Sequence, residues 1–178
     1  MWKEVVESGK FFQAPLSASD ALKRIKEQMF LGQYQHNLDD KGRLMIPSRY
    51  RDLLAGSNAF ITHGFDRCLA VMTEDHFKQV YEQIEAMSLT DPNARLLRRL
   101  ILANAYPVEV DKIGRILVPQ NLRSFLQIEG EATVVGQGAF FEVWKPADWK
   151  TQMDNIQDVE ANNARLVALQ INVRNSAA

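Results

Sequence analysis

Asp39-Asp40-Lys41-Gly42-Arg43-Leu44-Met45-Ile46-Pro47 returns 72 residues further on, Gly42 to Gly114, as Asp111-Lys112-Ile113-Gly114-Arg115-Ile116-Leu117-Val118-Pro119. Both stretches share the spacing Asp-x-x-Gly-Arg-x-x-x-Pro. The same offset relates Tyr34 to Tyr106, Arg51 to Arg123, Leu54 to Leu126, Gly64 to Gly136, Val71 to Val143 and Lys78 to Lys150. Self-similarity this long, with no gap, marks a duplicated module.

Within the module, Tyr34, His36 and Leu38 alternate with Gln35, Asn37 and Asp39, and Tyr106, Val108 and Val110 repeat the pattern. A period of two predicts a half-buried strand. The apolar runs Leu44-Met45-Ile46 and Ile116-Leu117-Val118 predict short strands covered on both faces. Between the two strands lie Asp40-Lys41-Gly42 or Lys112-Ile113-Gly114, a hairpin loop whose last residue takes the left-handed region that glycine enters freely. Such a hairpin sets Asp39 against Arg43 and Asp111 against Arg115, with Cβ atoms roughly 5 Å apart and a charge-assisted hydrogen bond within reach. Pro47 and Pro119 cannot donate to a ladder, so each strand stops there and a short helical turn begins, over 48–54 and 120–126.

Further strands are expected at 59–62 and 69–72, and again at 133–135 and 140–144. Thr73 caps a helix through Met87 with Phe77, Val80, Tyr81 and Ile84 on one face, and Asp91-Pro92 opens another bearing Leu96, Leu97, Leu100 and Ile101. Pro146 opens a third, and weaker helices are expected over 155–171 and from Ala21 to Gln28. The class is α+β, divided into an extension over 1–28, a first repeat with its helix over 29–90, a connecting helix and second repeat over 91–150, and a helix and tail over 151–178.

Composition narrows the function. The 178 residues suffice for one domain or two small repeats sharing a core. No apolar run is long enough to span a bilayer, and the first residues lack a secretory leader. Cys68 is the single cysteine, which fits a reducing cytosol. The formal net charge of −1 confines any nucleic-acid binding to a local patch. No catalytic, cofactor or metal site is expected: His36, His63 and His76 are scattered, and Cys68 sits in an apolar strand as inert core. Gly136-Gln137-Gly138 leads into a strand, so it is no phosphate cradle. Neither a membrane nor a small-molecule substrate is an expected partner.

The chain resembles the MraZ family of bacterial transcriptional regulators, whose two halves each hold an AbrB-like swapped-hairpin unit. The resemblance lies in Met29-Phe30-Leu31-Gly32, Asn37-Leu38-Asp39, Lys41-Gly42-Arg43-Leu44, Pro47 and Arg49-Tyr50-Arg51. The second half contributes Asp111, Gly114-Arg115, Pro119, Val135-Gly136-Gln137 and Phe141-Glu142-Val143-Trp144. It implies a duplicated AbrB-like swapped-hairpin β-barrel with helices inserted after each repeat, in a cytoplasmic, nucleoid-associated protein. It further implies ring-shaped homo-oligomers, usually octamers, on tandem G-rich repeats in the promoter of the division and cell-wall gene cluster. The Asp-x-x-x-Arg loops are the family's DNA-reading element, here Asp39 with Arg43 and Asp111 with Arg115. Family members typically begin at Met-Phe-x-Gly, and because the preceding residues are weakly patterned, translation from Met29 is favoured over an extension of residues 1–28.

Arginine makes bidentate contacts with guanine O6 and N7, each worth roughly 1–3 kcal/mol of discrimination. Asp39 and Asp111 would orient the guanidinium groups of Arg43 and Arg115, and Lys41 and Lys112 would meet phosphates of double-stranded promoter DNA. The plainer readings are surface ion pairs worth about 0–1 kcal/mol and solvated turn lysines. Arg49, Arg51 and Arg123 divide between phosphate contact and intramolecular pairing, with structure favoured; Arg95, Arg98 and Arg99 read as a solvated helix face or a subunit contact. A ring would present many loops at once, and avidity can exceed single-site affinity by about 10²–10⁴. Two alternatives remain, an antitoxin-type AbrB-like repressor and a structural ring in which the Asp-Arg pairs are architectural.

Overall fold

Each Asp-to-Pro motif folds as a tight turn, and the strands leaving it then pair with the other repeat. In the computed structural model, which describes residues 28–55 and 58–169, the elements run β1 (Gln33–Asn37), β2 (Arg43–Met45), α1 (Ser48–Leu54), β3 (Ala59–His63), β4 (Cys68–Thr73), α2 (Glu74–Glu85) and α3 (Pro92–Ile101). They continue as β5 (Tyr106–Val108), β6 (Arg115–Leu117), α4 (Gln120–Leu126), β7 (Glu131–Gly136), β8 (Phe140–Trp144), α5 (Pro146–Gln157) and α6 (Val159–Ala168). The helix expected from Ala21 falls outside the described residues.

The turns match expectation: Asp39 N–H donates to Arg43 O at 2.9 Å and Gly42 N–H to Asp39 O at 2.8 Å, with Asp111, Arg115 and Gly114 repeating both bonds at 2.8 and 2.9 Å. The hairpins do not continue beyond them. After a single bridge from Leu38 to Leu44, β1 pairs antiparallel with β7, β2 with β6, and β5 with β3. An isolated three-residue hairpin arm would leave its apolar side in water. Pairing across the repeats buries Leu44, Ile46, Ile116 and Val118 to 1% exposure or less, each contributing about 1.5–3 kcal/mol. Ile46 N–H to Gly114 O at 2.9 Å and Val118 N–H to Gly42 O at 2.8 Å extend the β2–β6 ribbon reciprocally.

The remaining strands form one antiparallel sheet in the order β1-β7-β8-β4-β3-β5. The described strands thus make an open six-stranded sheet and a separate two-stranded ribbon, and no closed barrel. Ribbon, sheet, α1 and α4 share one core, which gathers Leu44 and Ile116 with Ile61, Leu69, Val134 and Phe141 from the sheet and Tyr50, Leu122 and Leu126 from α1 and α4. The two repeats therefore fold as one unit.

The repeat register slips once. Tyr34 pairs with Val134, while its counterpart Tyr106 pairs with Ile61, so Ile61 and not Thr62 is the structural equivalent of Val134. The turn after β3, closed by Gly64 N–H to Cys68 O, is one residue longer than the turn closed by Gln137 N–H to Phe140 O, and this restores the register in β4.

Thr73 caps α2 by accepting from His76 N–H at 3.4 Å, and Asp91 caps α3 by accepting from Asn93 N–H at 2.7 Å, with Pro92 at the first helical position. The α2 helix ends at Glu85, short of Met87. Arg98 pairs with Glu85 and donates to Met87 O, and Arg95 donates to Leu89 O and Thr90 O, so both clasp the α2–α3 connection. The expected 155–171 helix is divided instead: α5 reaches Gln157, and Asp158 caps α6 from Ala161 N–H at 2.9 Å.

Candidate nucleic-acid interface

The register of the β2–β6 ribbon decides which side chains face out. Arg43 lies opposite Leu117, Leu44 opposite Ile116, and Met45 opposite Arg115. Leu44 and Ile116 are fully buried, so alternation places Arg43, Met45, Arg115 and Leu117 together on the other face. Leu117 is 55% exposed, which corrects the expectation that both apolar runs are covered on both faces. The core covers the inner side of the ribbon only.

At one end of this face, Asp39 organises the first loop. Its Oδ1 accepts from Lys41 N–H at 3.0 Å and Arg43 N–H at 2.9 Å, and its Oδ2 holds Arg43 Nε at 2.8 Å and Nη2 at 2.7 Å. Asp111 does the same for Ile113 N–H at 3.1 Å, Arg115 N–H at 2.9 Å, Arg115 Nε at 2.9 Å and Nη2 at 2.7 Å. Arg115 Nη1 also donates across the repeats to Asp39 Oδ2 at 3.0 Å. The side-chain hydrogen bond from Arg43, above all, draws the Asp39 carboxyl from 3.8 to about 2. Asp111 is lowered as well, chiefly by the backbone N–H of Arg115. Both are carboxylates at neutral pH.

The turn glycines carry the positive φ the motif requires, +78° at Gly42 and +86° at Gly114. They also make room for an arginine of the other repeat. A Cβ on Gly42 would lie 2.6 Å from the Arg123 guanidinium, and one on Gly114 would collide with Arg51. Arg51 Nε donates to Ile46 O at 2.9 Å and Arg123 Nε to Val118 O at 3.1 Å. Arg51 and Arg123 therefore brace the loops from beneath, the structural role favoured for them.

Lys41 and Lys112 are exposed at the loop tips, but they are not counterparts: Lys41 aligns with Ile113, and Lys112 with Asp40. Ile113 is 57% exposed at the second tip. Sequence reasoning missed Ile113, Met45 and Leu117 as surface residues of this face, although an isoleucine aligned with a loop-tip lysine was a signal. Arg43 and Arg115 line a groove with Gln35, Asn37 and Glu131, and His36 sits at its wall. The His36 imidazole is lowered by burial and by the charge of Arg51, and its buried Nε2 has no hydrogen-bond partner among the described residues.

Among the described residues, no cluster of three or more His, Cys, Asp or Glu could hold a metal ion, and no helix is long and apolar enough to cross a membrane. Burial pushes the Cys68 thiol up to about 12, far from a nucleophile's range. What the ribbon can do is recognition. A two-stranded ribbon fits a major groove about 12 Å wide, and fixed guanidinium groups match guanine edges.

The family model described as "MraZ protein, putative antitoxin-like" matches residues 29–100 and 101–170. The chain is similar to the protein named Transcriptional regulator MraZ from Thermomicrobium roseum, with 43% identity over 126 residues, 71% of this chain and 88% of the relative. Proteins of the same name from Roseiflexus castenholzii (38% over 143 residues, 80% of this chain and 96% of the relative) and Desulfitobacterium hafniense strain DCB-2 (39% over 136 residues, 76% and 94%) match similarly. These names denote regulators, not enzymes. The chain belongs to the MraZ family and carries two of its repeats.

Proposed function

We propose that the chain is a sequence-specific DNA-binding regulator of transcription whose paired Asp-x-x-x-Arg loops, on the β2–β6 ribbon, form the reading element. One observation carries the reading: the outer face of the ribbon presents Arg43 and Arg115, each guanidinium held by the carboxylate of its own loop. A restrained arginine loses less rotamer entropy on docking, and the exposed Lys41 and Lys112 add sequence-independent phosphate contacts. The exchange of strands between repeats supports an AbrB-like swapped-hairpin organisation, with the first repeat and its helix over 29–90 and the connecting helix and second repeat over 91–150.

The DNA is tandem G-rich repeats in the promoter of the division and cell-wall gene cluster, bound in the cytoplasm on the nucleoid. The chain assembles as a ring-shaped homo-oligomer, an octamer, so that loops at fixed spacing engage successive repeats. Linkage of sites offsets the weak attraction of a chain with a formal charge of −1. The alternative, a structural ring without promoter-specific binding in which the ion pairs are architectural, draws on the fact that both arginines are already paired within the chain.

Fluorescence anisotropy on the duplex immediately upstream of the gene and on a base-shuffled control separates the two, with light scattering reporting assembly. The regulator reading expects a preference for the native duplex by an assembled ring. Equal affinity for both duplexes would overturn it.

A further inference from the structure

The two loops share every hydrogen bond described above except one. Arg115 reaches Asp39 through Nη1, and among the described residues no ion pair runs from Arg43 to Asp111 in return. All three guanidinium nitrogens of Arg115 are thus engaged by two carboxylates, and its side chain is 18% exposed. Arg43 gives only its Nε–Nη2 edge to Asp39 and is 34% exposed. Nη1 of Arg43 has no partner among the described residues. A guanidinium held along one edge by a carboxylate can offer the edge formed by its two terminal nitrogens to guanine O6 and N7. Arg43 has that edge open. On Arg115 it is already occupied at Nη1.

Resting on the DNA-binding reading, we propose that Arg43 is the arginine that contacts guanine, while Arg115 is a positioning residue acting through Asp39. Each chain then reads DNA with one arginine. Arg115 holds the Asp39 carboxylate from the far side, so that Oδ2 sits between two guanidinium groups and the Arg43 rotamer is fixed before docking. The second loop contributes its tip instead, where exposed Ile113 replaces Lys41 and offers an apolar surface of the kind that packs on a thymine methyl group.

The test replaces single guanines of the native duplex by 7-deazaguanine, which lacks the N7 acceptor, and titrates the full chain with each duplex. Wild type should lose about tenfold in affinity at the contacted guanine. Arg43→Ala should bind weakly and be indifferent to that replacement. Arg115→Ala should bind less tightly yet keep the about tenfold sensitivity, and Arg115→Lys, which can still pair with Asp39, should recover part of the lost affinity. If Arg115→Ala does not fold by circular dichroism, Arg115→Lys and Arg115→Gln carry the same comparison. Indifference of the Arg115 variants at a guanine to which wild type responds would overturn the division of labour, as would a wild type that prefers the native duplex but ignores every 7-deazaguanine. A wild type without preference for the native over the shuffled duplex would overturn the regulator reading itself, and this proposal with it.

Discussion

Arg115 Nη1 lies 3.0 Å from Asp39 Oδ2, across 76 residues of chain. This contact joins the two loops into one charged cluster and makes Asp39 the carboxylate on which both arginines converge, whereas Asp111 holds only its own. Asp39→Asn keeps an acceptor for the Lys41 and Arg43 N–H groups but removes the shared charge. It should raise binding to any DNA while lowering the ratio of native to shuffled affinity, and do so more than Asp111→Asn. Anisotropy on both duplexes at fixed salt measures the ratio.

The turn glycines give a prediction with two separable parts. Gly42→Ala imposes a side chain on a φ of +78° and drives a Cβ into Arg123; a cost of about 1–3 kcal/mol is expected. Arg123→Ala in that background should return the part due to the collision and leave the part due to φ, so the two changes will not add. Urea unfolding of the four proteins checks this.

The two faces of the ribbon should respond oppositely. Leu44→Ala opens a cavity in the shared core and should cost about 2–5 kcal/mol. Leu117→Ala, at a side chain 55% exposed, should leave stability within about 0.5 kcal/mol and weaken DNA binding instead. Urea melts paired with anisotropy separate the effects, and a strongly destabilised Leu117→Ala would contradict the assignment of faces.

Two histidines predict the acid response. His36 and His63 are both lowered by burial, His36 with help from Arg51. Well above the unfolded value of 6.5 folded and unfolded chains alike hold them neutral, with little effect on stability. Below it the unfolded chain takes protons the folded one refuses, so stability falls as pH drops. The melting temperature should be lower at pH 5.5 than at pH 7.5, and His36→Gln/His63→Gln should flatten that difference. The Asp39 carboxylate contributes in a separate window: its effect is complete above the unfolded value near 3.8 and is lost as pH falls through about 2.

The duplication, the turns and their glycines were legible because each follows from local chemistry: a positive φ, a proline stop, an aspartate placed to accept from its own loop. Partner choice was not. Nothing local in Leu44-Met45-Ile46 says that its ladder partner is Ile116 and its neighbours, 72 residues away, because that pairing is set by burial of the joint core. Hence the hairpin expected to continue stops at the turn, and Leu117 faces out. Asp39 with Arg43 could be read from spacing, but the link from Arg115 to Asp39 depends on the ribbon and was beyond reach. The ungapped register hid the one-residue slip in β3, since a longer turn after it brings the sequence back into step.

The proposed function requires that the Asp-x-x-x-Arg loops of the ribbon read sequence. Titration of wild type and Arg43→Ala/Arg115→Ala on the native upstream duplex and its shuffled control, across a salt series, decides this. For wild type, affinity should fall with salt at a slope of about −0.9 per phosphate contact on both duplexes, with the native one preferred throughout. The double variant should remain oligomeric, keep the salt-dependent binding and lose the preference. A double variant that still prefers the native duplex would show that neither arginine reads sequence and leave the Asp-Arg pairs as architecture.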